Sequence, residues 1–184
     1  MLLFVGLGNP TPDSKNNRHN IGFKIIDAIN QKFSLSKQKP KFKGLLTTGN
    51  INKKKVYAIK PLTFMNNSGI CIRELIEYFK IESENVIVFH DDLDIDFGKI
   101  KAKFGGSSAG HNGIESIDKF IGKDYSRIRI GIGKPKSDTT DHVLKDFDED
   151  EIQDLKKITT NITDSLSILL DKKLDLFSST VNNN

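Results

Sequence analysis

What this chain lacks narrows it before any motif is read. Its single cysteine, Cys71, excludes an intramolecular disulfide and any zinc site built on paired cysteines. No apolar run approaches the roughly 18 residues of a membrane span. The opening MLLFVGLGNP has no basic n-region and breaks early at Gly and Pro, so it does not read as a signal peptide. There is no HExxH, and His19, His90, His111 and His142 are dispersed without zinc-ligand spacing, so no metal is expected. Acidic side chains are absent from residues 28–73, which carry ten basic ones. These absences leave a globular chain expected to work in the cytoplasm.

What is present fits one domain over residues 1–184, a length that buries a core without covalent staples. Residues 1–143 carry a net charge of +8 and residues 144–184 a net of −4. The basic block at 28–73 favours a polyanionic partner, although a solvated lysine-rich surface would look the same. Residues 2–7, 56–61, 85–90, 99–104 and 127–133 read as short strands rich in β-branched and aromatic residues. Residues 22–33, 68–79, 112–121 and 148–170 carry apolar side chains at helical spacing. The terminal VNNN reads as a frayed end. Alternating strands and helices predict an α/β sandwich with a largely parallel sheet, whose ligand crevice lies outside the strands' carboxyl ends.

Several loops carry candidate chemistry. Gly6-Leu7-Gly8-Asn9-Pro10 follows the first strand, but Thr11 stands where a dinucleotide fingerprint has its third glycine, so a tight turn is the plainer reading. His19, in Arg18-His19-Asn20, precedes a helix near the presumed crevice. His90-Asp91-Asp92-Leu93-Asp94-Ile95-Asp96 is rich in carboxylates. Counted from Asp92, Phe97 and Lys103 occupy the required Gly and Glu positions of a calcium loop, so that template fails. One buried carboxylate orienting an imidazole is the alternative use. Residues 105–113, GGSSAGHNG, lack the Gly-Lys-Ser/Thr ending of a P-loop but contain GxSxG. Ser108 with His142 and Asp138 or Asp141 is therefore a rival serine-hydrolase reading. Asn9, Asn20, Asn66 and Asn112 fall in loops around strand ends, where neutral amides suit an ester carbonyl and ribose hydroxyls.

Taken in order, GLGNP, RHNIGF, TFMNNSG, HDDLD, GGSSAGHNG and RIRIGIG closely resemble the bacterial-type peptidyl-tRNA hydrolase family over nearly the whole chain. The resemblance implies a monomeric α/β sandwich with a mixed, mostly parallel twisted sheet flanked by helices. It also implies an esterase, without cofactor, that releases peptide from the 3′ ribose of tRNA. By motif, His19 matches the general base and Asp91 its orienting partner. Asn9, Asn66 and Asn112 match the amides that hold ester, water and peptide backbone, and Met65 an apolar wall. Lys103 and Arg129 match a clamp for the tRNA 5′-phosphate. The family usually has Gly and Tyr where Thr11 and Ser14 stand here, and Thr in place of Asn17; Ser14 therefore occupies a substrate-lining position. The expected partner is peptidyl-tRNA, held by its acceptor stem and 3′ end. A serine esterase using Ser108, or an RNA-binding module in which His19 and Asp91 are idle, remain as rival classes.

Overall fold

A computed structural model of the chain describes residues 1–136 and 138–184. Seven strands form one sheet in the order β2-β3-β4-β1-β5-β7-β6. β1 (Leu2–Gly6) lies between β4 (Lys54–Pro61) and β5 (Val86–Asp92), parallel to both, and β5 pairs in parallel with β7 (Ser126–Gly131). β2 (Lys39–Lys41), β3 (Gly44–Ile51) and β6 (Ile100–Phe104) add antiparallel pairings at the two edges. The sheet is thus mixed, with a parallel centre.

The period of two in β1 explains the layering. Leu2 and Phe4 point to one face, where α1 (Ile21–Lys32), α5 (Glu149–Asp164), α6 (Leu166–Leu170) and α7 (Leu174–Asn183) pack. Leu3, Val5 and Leu7 point to the other, against α2 (Ser68–Phe79) and α3 (Asn112–Ile121). Both faces are buried, which is why the central strands read as continuous apolar runs. Gly6 and Gly8 do not serve a tight turn. A Cβ at Gly6 would lie 2.2 Å from the Gly22 carbonyl oxygen, and one at Gly8 would meet the Phe23 ring, so both permit α1 to approach the strand.

Several elements depart from the sequence reading. β2 and β3 were not legible, because the Phe42-Lys43 and Asn52-Lys53 turns put non-glycine residues at positive φ in place of an Asn-Gly signal. The long helix at 148–170 breaks at Ser165 into α5 and α6. A short α4 (Thr139–Leu144) was not anticipated. β5 continues two residues beyond His90, so Asp91 and Asp92 close a buried strand rather than open a loop. The chain end is not frayed: Val181 is buried, and Asn182 exchanges two hydrogen bonds with Ile100 of β6 at 2.9 and 2.8 Å. Ser178 accepts a third from the Ala102 amide.

Candidate active site

The crevice forms where the segment after β1, the end of β5 and the segment before α3 meet. The third of these arrives from the far side. β6 is antiparallel to β7, so Phe104 lies beside Ser126 at the foot of β7, while Asp91 pairs with Ile130 near its top. Residues 105–111 climb this distance, with Gly105, Gly106 and Gly110 all at positive φ. Buried Arg127 holds the climb in place by donating to the Ser107 carbonyl and pairing with Asp118. His19 sits in a 3₁₀ turn, Arg18–Asn20, that leads into α1. Arg18 anchors the turn by donating to the Lys145 and Asp146 carbonyls and pairing with Glu151 at 2.8 Å.

Asp91 lies at the centre, gripped by two imidazoles. His19 donates from Nδ1 to Oδ2 at 2.8 Å, and His111 donates from Nε2 to Oδ1 at 2.9 Å. The second donor is fixed by its own surroundings. Nδ1 of His111 caps α3, accepting from the Gly113 and Ile114 amides, so a neutral ring carries its proton on Nε2. His19, Asp91 and His111 bring three potential metal donors within 4.8 Å of one another. The cap, however, leaves no lone pair on His111 Nε2 for an ion. Burial pushes the Asp91 carboxyl up, and His111 and His19 outweigh it, holding the group well below the ordinary carboxylate range. It remains an anion between two N–H donors. Nε2 of His19 has no protein partner among the described residues, and this ring lines the cleft.

Beneath them, His90 is buried and neutral. Burial, with His111 alongside, pushes it down to about 3, and its Nδ1 donates to the Asp91 carbonyl at 2.8 Å. Its ring meets His111 edge-on, 4.9 Å between centroids.

Asn9 is held as firmly as His19. Its amide N–H donates to Asn20 Oδ1 at 2.8 Å and its carbonyl accepts from Asn20 Nδ2 at 2.9 Å, a reciprocal pair like that between two strands. Its side-chain Oδ1 accepts from the Met65 amide, which leaves its NH₂ as a free donor on the cleft side. Presenting the Met65 amide costs backbone strain: Phe64, 53% exposed, adopts φ 55° and ψ 158°, a region nearly reserved for glycine. The cleft encloses about 630 Å³ between Asn9, His19, Asp91, residues 108–112 and α4.

The remaining sequence-predicted residues fall in different places. Asn112 opens α3 and lines the cleft; Met65 is buried with its Sδ against Gly113; Asn66 is exposed in the 3₁₀ turn beside it. Ser14 is buried and bonded to Thr11 Oγ1 at 2.6 Å, and it is not among the residues lining the cleft. Lys103 and Arg129 share one face of the sheet but stand diagonally, since Lys103 opposes Arg127 and Lys101 opposes Arg129. Arg129 already pairs with Asp92 at 2.8 Å. The rival serine triad is not assembled: His142 bonds to the Ile132 carbonyl, Asp138 caps α4, and the Ser108 hydroxyl accepts from Gly110. Cys71 is no nucleophile either, since burial and then Glu74 push its thiol up to about 12. Sequence reasoning left His111 and Phe64 without a role and grouped Asn20 with the ester-binding amides, whereas Asn20 spends its side chain on the Asn9 peptide. Their signals were adjacency to Asn112, Met65 and His19.

An imidazole oriented by a buried carboxylate, open on its other edge and set beside a fixed amide donor, is an arrangement that suits a hydrolase acting through water. Known proteins agree. A model of the peptidyl-tRNA hydrolase family matches residues 3–184. The chain is 84% identical to the peptidyl-tRNA hydrolase of Pelagibacter ubique over the full length of both, and 46% identical to that of Neorickettsia sennetsu over 92% of this chain and 87% of that one. The crystal structure of peptidyl-tRNA hydrolase from Acinetobacter baumannii superimposes with a TM-score of 0.92 at 32% identity, covering 99% of this chain and 94% of that one. The chain belongs to the peptidyl-tRNA hydrolase family, and its reaction is the hydrolysis of peptidyl-tRNA. Among the described residues, no helix is long and apolar enough to cross a membrane.

Proposed function

We propose that His19 is the general base of this hydrolysis. Its Nε2 takes a proton from water as the water oxygen bonds to the ester carbonyl carbon. The tetrahedral intermediate then expels the 3′ ribose oxygen, which recovers the proton from the imidazolium. Asp91 orients His19 and stabilises its charged form. The Asn9 NH₂ donates to the developing oxyanion, Asn66 and Asn112 hold the peptide backbone, and Met65 walls the cleft. A positioned base contributes about 10²–10⁴-fold and one oxyanion donor about 10²–10³-fold. No cofactor is required. The observation that carries this reading is the 2.8 Å hydrogen bond from His19 to the buried Asp91.

Recognition rests on Lys103 and Arg129, which together clamp the 5′-phosphate of the acceptor stem while the 3′ end enters the cleft. A lysine point charge beside a guanidinium suits a terminal monophosphate. Ser14 contributes through the shape of its loop rather than by contact. The whole chain works as one monomeric unit in the cytoplasm. The test is turnover of N-blocked aminoacyl-tRNA by wild type, His19→Ala and Ser108→Ala. The His19 variant should lose turnover while keeping affinity, and the Ser108 variant should retain both; a dead Ser108 variant would overturn the assignment.

A further inference from the structure

A groove along the outer edge of the sheet has features that the cleft does not use. It encloses about 570 Å³ between Ala102, Lys103 and Phe104 of β6, Lys172 and Lys173 of the α6–α7 turn, and Leu176 in the first turn of α7. Lys172 and Lys173 are the only basic residues after Lys157, in the acidic part of the chain, yet the fold sets them beside Lys103. Asp175 is the one carboxylate of the lining. Asp171, next to Lys172 in sequence, is engaged by Lys54 at 2.6 Å. Two large apolar side chains flank the cations, Phe104 at 48% exposure and Leu176 at 50%. Apolar surface rimmed by like charges marks a place of contact.

From this we infer that the groove is a second RNA contact, holding phosphodiesters of the substrate's acceptor stem with Lys172 and Lys173 while Phe104 packs on a sugar face. The inference rests on the proposed clamp in one respect: Lys103 is common to both, so the strand leaving a 5′-phosphate held there runs into the groove. Duplex RNA is recognised by phosphate and sugar contacts rather than by base edges, and this lining offers both. Lys103 is well placed to join the two, because it lines the groove and also packs its Cε and Nζ against Gly106, at the start of the segment that climbs to the cleft.

The test compares two substrates, full-length N-acetyl-aminoacyl-tRNA and the same ester on a CCA trinucleotide without a stem. With Lys172→Gln/Lys173→Gln, KM for the full-length substrate should rise about 5- to 10-fold at 0.1 M salt with kcat unchanged, and the salt slope should shrink by about two, one unit per lost contact. The trinucleotide should be unaffected, and the preference for a 5′-phosphate should persist. Phe104→Ser should raise KM without moving the slope. An unchanged slope in the double variant, or equal losses on both substrates, would overturn the proposal. If Lys103→Ala and Arg129→Ala keep the 5′-phosphate preference while Lys172→Gln/Lys173→Gln still flattens the slope, the clamp fails and the groove stands.

Discussion

Two regions of this molecule are built on opposite terms. Inside the cleft the central groups are held in place: Asp91 by two imidazoles, the Asn9 peptide by Asn20, the Asn9 side-chain oxygen by Met65. Along β6 and the α6–α7 turn, Lys101, Lys103, Lys172 and Lys173 are exposed. On the roles proposed above, the contrast separates chemistry from recognition. A locked imidazole is preorganised for one proton transfer, where geometry decides the rate. A lysine in solvent is a mobile point charge that a phosphate can order on arrival. Lesions in the first region should therefore read out in kcat, and lesions in the second in KM and its salt dependence.

The largest expected effect is that of His19→Ala. Its kcat should fall about 10²-fold or more, in single-turnover assays, while KM and the 5′-phosphate preference stay put. A proportionate rise in KM would blur the division between the regions. Asn20→Ala tests whether locking matters apart from chemistry, since Asn20 touches only the Asn9 peptide in the hydrogen bonds described. It should cost about 1 kcal/mol of stability, because it strands a half-buried donor and acceptor, and reduce kcat by up to about 10²-fold as Asn9 loses its place. Full activity in a destabilised Asn20→Ala protein would mean that Asn9 needs no clamp.

Acid should find the cleft before the surface. His90 is held neutral down to about 3 against an ordinary 6.5, so between these values the unfolded chain binds the extra proton and stability falls as pH falls. Asp91 adds to this loss at lower pH, since its folded form resists protonation that the unfolded form accepts near 3.9. Thermal melts from pH 7 to 4 should show a steady drop in Tm, shallower in His90→Gln. A pH-independent Tm would mean that the buried imidazole is solvated on this range.

Smaller effects are expected at the surface. Lys103→Ala and Arg129→Ala should each raise KM about 10-fold, with kcat nearly unchanged and the salt slope reduced by about one unit. Smallest of all should be Lys39→Gln/Lys41→Gln in the basic block, at less than about 2-fold in KM at 0.1 M salt, where charges beyond about 10 Å are screened. These lysines lie on β2, at the opposite edge of the sheet from β6. A large effect there would relocate the RNA-facing surface.

The basic block shows what a linear sequence leaves open. Ten basic residues without an acid suit a polyanionic partner and a solvated surface alike, and half of them pair with carboxylates outside the block: Lys32 with Asp164, Lys43 with Glu74, Lys54 with Asp171, Lys60 with Asp27 and Arg73 with Glu77. Linear charge density does not show which acids the fold brings back. Lys41 instead lies over the Tyr78 ring, 4.4 Å from its centroid. Elsewhere local pattern sufficed. The parallel centre, α1 to α3 and the meeting of Asn9, His19 and Asp91 follow from apolar periodicity and from polar residues at strand ends, whereas Asn112 reaches them only because residues 105–111 climb back from the far end of β6. Ser14 has only its place in the motif to suggest a substrate contact, and its hydroxyl bonds to that of Thr11. His111 escaped notice because its role depends on a helix cap and a carboxylate that meet only in three dimensions.

The hydrogen bonds from α7 to β6 have a consequence for handling the protein. An outermost strand with bare amides and carbonyls is a template on which another molecule can add its own strand. Asn182 occupies both polar groups of Ile100, and Ser178 takes the Ala102 amide, so two side chains stand in for a neighbouring chain. A product shortened before Ser178 would keep every cleft residue and lose this guard. Its defect would show first as turbidity that grows with concentration, in preparations that still turn over substrate when dilute.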